Sequence, residues 1–119
     1  MIRALIVDDS KFMRRIIRET LEGGGYEIAA EAENGYDAVT LYKELTPDFV
    51  TMDVTMMGKD GLRAVDDIIA IDPDARIIVI SALGEATLRN SRGIGIPAKG
   101  FLQKPFEKEQ LLTLVRGIL

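Results

Sequence analysis

Apolar residues change their spacing repeatedly along this chain, with short β-branched runs alternating with stretches in which apolar side chains recur every three or four positions. That alternation confines the chain to folds that interleave strands with helices. Five strand–helix pairs fit, with candidate strands at residues 4–7, 26–32, 49–52, 76–80 and 100–103. Dividing 119 residues among five pairs leaves about 24 for each, enough for an average strand, an average helix and two short loops.

Helix 1 is read from Phe12, Met13, Ile16, Ile17 and Leu21 as one apolar stripe, with Ser10 as its N-cap and Gly23-Gly24-Gly25 ending it. Helix 2 follows Asn34-Gly35, carries Ala38, Val39, Leu41, Tyr42 and Leu45, and stops before Thr46-Pro47, because a residue preceding proline avoids the helical region. Helix 3 runs from about 62 to 71, capped by Asp60 and stopped by Asp72-Pro73, with Val65, Ile68 and Ile69 inward. Helix 5 runs from about 106 to the end, with Glu107 and Glu109 in its dipole-favoured first turn. The fourth helix spans 85–92, where Gly93-Ile94-Gly95-Ile96-Pro97 cuts it short. Arg14, Arg15 and Arg18 read as a solvated face of helix 1.

Strands 1, 3 and 4 are nearly continuous apolar runs, as in strands covered on both faces. The expected fold is therefore α/β, a three-layer, doubly wound, five-stranded parallel sheet forming one domain over residues 1–119. No apolar run exceeds four residues, so no membrane insertion is expected and the chain reads as cytoplasmic. A net charge of -4 supplies no excess cation for a phosphate backbone, which argues against direct nucleic-acid binding. The chain has neither Cys nor His, which excludes thiolate nucleophiles, imidazole bases and soft metal sites.

In open α/β sheets the ligand site lies beyond the carboxyl ends of the strands. Strand 1 ends in Asp8-Asp9, strand 3 in Asp53, strand 4 in Ser81 and strand 5 in Gln103-Lys104-Pro105. Three carboxylates converging on one crevice repel one another unless a cation joins them, and the hard, oxygen-seeking Mg2+ suits such a donor set. Lys104 adds a positive charge and Ser81 a hydroxyl where phosphoryl oxygens would lie. These groups together suit the receipt of a phosphoryl group on a carboxylate. Taken singly, an Asp-Asp pair at a strand end reads as a turn or helix cap, and Lys-Pro as loop punctuation.

The runs Leu5-Ile6-Val7-Asp8-Asp9-Ser10, Met52-Asp53-Val54-Thr55-Met56, Asp60-Gly61, Ser81-Ala82 and Lys104-Pro105-Phe106 resemble the receiver domain of two-component response regulators, of the free-standing, CheY-like chemotaxis type. The resemblance spans essentially the whole chain. It implies a flavodoxin-like strand order 2-1-3-4-5, with CheY a standard example of that order. It implies Asp53 as phosphoacceptor, with Asp8, Asp9, Asp53 and the backbone of Thr55 holding Mg2+, Asp9 directly and Asp8 through water. It further implies Ser81 as the switch hydroxyl, Phe101 as the switch aromatic, Lys104 on the phosphoryl group and a cis Lys104–Pro105 peptide.

The implied partners are a histidine kinase, which must supply the phosphohistidine this chain lacks, and a downstream target such as a flagellar motor switch component. A monomer or weak dimer is expected, catalysing only its own phosphorylation and dephosphorylation. The alternative is the receiver module of a larger transcriptional regulator. Three features depart from the family pattern: Met57 where Pro is common, Lys59 in the same loop, and the 93–97 stretch, which bears on the output surface of helix 4, strand 5 and helix 5. Other phosphate-handling folds fit less well. Asp8-Asp9-Ser10-Lys11 is neither a flavodoxin phosphate loop nor G-x-G-x-x-G, and the Asp-x-Asp-x-Thr of haloacid-dehalogenase-type phosphatases is absent.

Overall fold

The structure, a computed structural model, describes residues 1–54, 60–92 and 95–119, without the side chains of residues 60, 91 and 92. In chain order its elements are β1 (Arg3–Val7), α1 (Lys11–Gly23), β2 (Glu27–Ala32), α2 (Gly35–Leu45), β3 (Phe49–Asp53), α3 (Asp60–Ile71), β4 (Ile77–Ser81), α4 (Glu85–Arg92), β5 (Gly100–Gln103) and α5 (Lys108–Ile118). The strands form one parallel sheet in the order β2-β1-β3-β4-β5, as the resemblance implied.

Alternation along the inner strands divides the core into two apolar layers. Leu5, Val7, Val50, Met52, Ile77 and Val79 face one way and meet Ala38, Tyr42, Val65, Ile68 and Leu88. Ala4, Ile6, Phe49, Ile78 and Ile80 face the other and meet Ile17, Leu21, Leu111 and Val115. Full burial of a large aliphatic side chain contributes roughly 1.5–3 kcal/mol. The two layers therefore hold helices on both sides of the sheet, and a slip of one residue in any inner strand would exchange them.

Local signals placed most boundaries. Ser10 Oγ accepts from the Met13 amide at 3.1 Å and starts α1, which ends where Gly25 takes φ +92°, a conformation side chains disfavour. Asn34 caps α2 in the same way, its side-chain oxygen accepting from the Asp37 amide at 2.8 Å.

Four expectations need correcting. Helix α3 begins at Asp60 itself, so Asp60 is not a flanking cap. Helix α5 begins at Lys108, because Glu107 serves as N-cap and donates its amide to Gln110 Oε1 at 2.7 Å. Phe12 is not part of the inward stripe: it is 72% exposed, since at five residues from Ile17 it sits about 140° around the helix from it. Arg14 is not solvated. At three residues from Ile17 it lies about 60° from the inward direction, and its side chain is only 13% exposed.

Helix α4 spans Glu85–Arg92 as expected, and residues 95–98 then run without regular structure, with Ile96 buried. Gly93 and Ile94, on which the reading of a shortened helix rests, lie outside the described residues, as do Met57 and Lys59.

Candidate phosphoacceptor site

The parallel strands deliver their carboxyl ends to one edge of the sheet. Val7 pairs with Met52, so the residues that follow, Asp8 and Asp53, emerge side by side where the strand order turns back between β1 and its neighbours. Asp8, Asp9 and Asp53 each place a carboxylate oxygen within 4.8 Å of the others. Asp8 and Asp53 are buried and Asp9 is exposed.

Lys104, arriving from the end of β5, closes the group. Its Nζ donates to Asp8 Oδ2 at 2.9 Å and to Asp53 Oδ2 at 3.3 Å. The Lys104–Pro105 peptide is cis, and the Lys104 amide donates to the Ser81 carbonyl at 2.7 Å, which ties the end of β5 to the end of β4.

Burial raises Asp8 above the ordinary carboxyl value, outweighing the hydrogen bonds it receives from Lys104 and from the Ser10 amide. For Lys104 burial acts in the opposite sense, but its hydrogen bond to Asp8 and the charge of Asp53 outweigh it, so the ammonium is favoured. Among the described residues, three carboxylates, when ionised, face the one ammonium of Lys104, which leaves negative charge in excess. A divalent, oxygen-seeking cation would neutralise that excess, so the donor set fits Mg2+.

Ser81 is buried, and its Oγ accepts from the Leu83 amide at 3.0 Å. Phe101 stands on β5 opposite Val79, half-buried. Ser81 and Phe101 line one cleft of about 130 Å³ together with Leu83 and Leu88. The structure thus brings Asp8, Asp9, Asp53 and Lys104 together and sets Ser81 and Phe101 next to each other on the adjoining strands. Thr55, expected to offer a backbone oxygen, lies outside the described residues.

With the cluster and the sheet order in place, the sequence comparison is decisive: residues 4–116 match the response regulator receiver domain. The chain belongs to that family. This receiver domain is 46% identical over 116 residues to the chemotaxis protein CheY of Thermotoga maritima, covering 98% of this chain and 96% of that one. It is 45% identical over 119 residues to protein CcdB of Bacillus subtilis, covering 100% of this chain and 98% of that one. It superposes on a chain of the CheX–CheY–BeF3–Mg2+ complex from Borrelia burgdorferi with a TM-score of 0.89 at 35% identity, covering 98% of this chain and 88% of that one. Among the described residues, no helix is long and apolar enough to cross a membrane.

One group beside the receiver site has no counterpart among the sequence expectations. Arg14 Nη1 donates to the Asp8 carbonyl at 2.6 Å, and Arg14 Nε donates to Glu31 Oε1 at 3.0 Å. Arg18 Nε donates to Glu31 Oε2 at 2.7 Å. Burial alone would raise Glu31, but the hydrogen bonds from Arg18 and Arg14 outweigh it and hold the carboxyl below its ordinary value. Phasing α1 on Ile17 rather than on the whole apolar set would have pointed Arg14 toward β2.

Proposed function

We propose that this receiver domain takes a phosphoryl group onto Asp53 from the phosphohistidine of a partner kinase and thereby switches a protein-binding surface in chemotaxis. The observation that carries the reading is the Lys104 ammonium shared by two buried carboxylates, those of Asp8 and Asp53. A carboxylate oxygen of Asp53 attacks phosphorus, the phosphorus–nitrogen bond to the donor breaks with its electron pair returning to the imidazole, and an acyl phosphate remains. Lys104, already on Asp53, follows the charge onto the new phosphoryl oxygens. Asp8 and Asp9, with Asp53 and the Thr55 backbone, would hold Mg2+, which when bound supplies charge neutralisation of the phosphoryl oxygens. With no His anywhere in the chain, the donor residue belongs to another protein.

A phosphoryl group brings roughly -1.5 to -2 charge and three acceptor oxygens. The Ser81 hydroxyl can then exchange the Leu83 amide for a phosphoryl oxygen, and the adjoining cleft gives Phe101 room to turn inward. The output surface is formed by α4, β5 and α5, and the target is a protein such as a flagellar motor switch component. The domain acts over residues 1–119 in the cytoplasm, catalysing only its own phosphorylation and dephosphorylation. Chemotaxis is favoured over a module of a larger transcriptional regulator because CheY proteins are among the relatives matched over nearly their whole length.

Incubation with acetyl phosphate, with and without Mg2+, followed by intact-mass measurement tests the proposal. The expected result is one added phosphoryl group that requires Mg2+ and is lost in Asp53→Asn. Uptake by that variant, with the label mapped elsewhere, would refute the acceptor assignment.

A further inference from the structure

The loop that carries two of the three carboxylates is residues 8–10, between the end of β1 and the start of α1. Its polar groups are tied almost one by one. The Asp8 amide donates to the Ala32 carbonyl at 3.1 Å, Asp8 Oδ1 accepts from the Ser10 amide at 2.9 Å, and the Ser10 carbonyl accepts from the Arg14 amide at 2.9 Å. The Asp8 carbonyl belongs to the peptide that leads into Asp9, and it accepts from the Arg14 guanidinium.

A guanidinium is planar with its donors in a fixed fork, so two anchored nitrogens define its plane. Arg14 has both: Nη1 on the Asp8 carbonyl and Nε on Glu31 Oε1, while Arg18 Nε holds the other oxygen, Oε2. Asp9, by contrast, is exposed, and among the described residues no side-chain hydrogen bond directs its carboxylate. Among the described residues the restraint on Asp9 thus comes through its backbone, whose N-terminal peptide carbonyl is held by Arg14.

We propose that Arg14, braced by Glu31, is a positioning residue of the receiver site that fixes the Asp8–Asp9 peptide plane and so aims the Asp9 carboxylate at Mg2+. The inference rests on the reading of the cluster as a Mg2+ site. It also makes a prediction opposite in sign to simple electrostatics. Considered only as a nearby cation, Arg14 repels Mg2+, and its removal tightens binding. Considered as a positioner, its removal loosens binding although a positive charge has been taken away.

The experiment is calorimetric titration of the full chain with Mg2+ alone, on the unmodified protein and on Arg14→Ala, Arg14→Lys and Glu31→Gln, with circular dichroism to establish folding. Arg14→Ala and Arg14→Lys are both expected to weaken binding by about tenfold, the lower end of what loss of an outer-shell partner costs a metal site. Lysine fails despite its charge because it lacks the fork. Glu31→Gln weakens binding in the same direction by less. In acetyl phosphate assays the loss appears in the Mg2+ concentration at half-maximal rate and is overcome at saturating Mg2+.

Binding by Arg14→Ala as tight as, or tighter than, that of the unmodified protein overturns the proposal. If Arg14→Ala does not fold, wild-type affinity in both Arg14→Lys and Glu31→Gln overturns it equally. Absence of Mg2+ binding in the unmodified protein overturns the Mg2+ reading itself, and this inference with it.

Discussion

The Arg89 guanidinium lies 4.9 Å from the centroid of the Phe101 ring, with its Nε held 2.9 Å from Glu85 Oε2. Helix α4 therefore grips the aromatic ring that lines the cleft beside Ser81. A cation–π contact at a solvent-accessible site contributes about 0.5–1 kcal/mol, which corresponds to a population change of about two- to fivefold. On the switching proposed above, Arg89→Ala should raise the share of inward-turned Phe101 by that factor before any phosphoryl group arrives. Ring resonances of labelled Phe101 in the variant should move part of the way toward those produced by beryllofluoride with Mg2+. Resonances identical to those of the unmodified protein would detach Arg89 from the switch.

Gly61 sits in the first turn of α3 directly against the end of β3, where an added Cβ would collide with the Asp53 carbonyl oxygen and the Val54 Cα. Both obstacles are backbone, so neither can swing aside. Gly61→Ala should cost about 1–3 kcal/mol of unfolding free energy, as overpacking in a dense core does. The same displacement moves the strand that carries Asp53, so, on the proposed acceptor role, phosphoryl uptake should slow as well. Chemical denaturation and acetyl phosphate kinetics measure the two effects on one sample.

Thr51 is buried in the middle of β3, and its Oγ1 finds no hydrogen-bond partner among the described residues. An unsatisfied buried hydroxyl carries a desolvation penalty of about 1–3 kcal/mol. Thr51→Val keeps the shape and removes the penalty, so the variant should unfold at a higher temperature, with a gain of about 1 kcal/mol. A lower midpoint would show that the hydroxyl is satisfied.

Glu31 supplies a pH-dependent test. Its carboxyl is held below the ordinary 4.5, so the ionised form stabilises the fold above that value and the contribution disappears as pH falls through the lowered one. Glu31→Gln should therefore be less stable than the unmodified protein at pH 7, by about 1 kcal/mol for a partly shielded pair. The gap should close in acid. A gap of equal size at pH 7 and pH 3 would mean that packing, not charge, holds Glu31.

Legibility in the sequence followed the nature of each interaction. Ser10 and Asn34 announce their helices because a cap is a contact across three residues. The acidic cluster and Lys104 were legible because a parallel sheet sends every strand end to the same edge, so the strand pattern alone groups residues that are far apart in the chain. Phe12 shows that apolar character alone does not place a residue, since its angle around α1 turns it to solvent. Arg14 and Gly61 stand in the sequence, Gly61 within the Asp60-Gly61 run and Arg14 on a face of α1, but what each touches was not legible. Each acts on a main-chain carbonyl, of Asp8 and of Asp53, and such an acceptor is present at every position and marked by no letter of the sequence.

The hydrogen bond between Lys104 and Asp8 joins residues 96 positions apart. The contact therefore needs the last strand, which follows the rest of the sheet in the chain, to be in place beside β4. A nascent chain that has not yet released its final strand carries Asp8, Asp9 and Asp53 but lacks the ammonium that makes two buried carboxylates tolerable side by side. On the function proposed above, the site is therefore complete only once the last strand is in place.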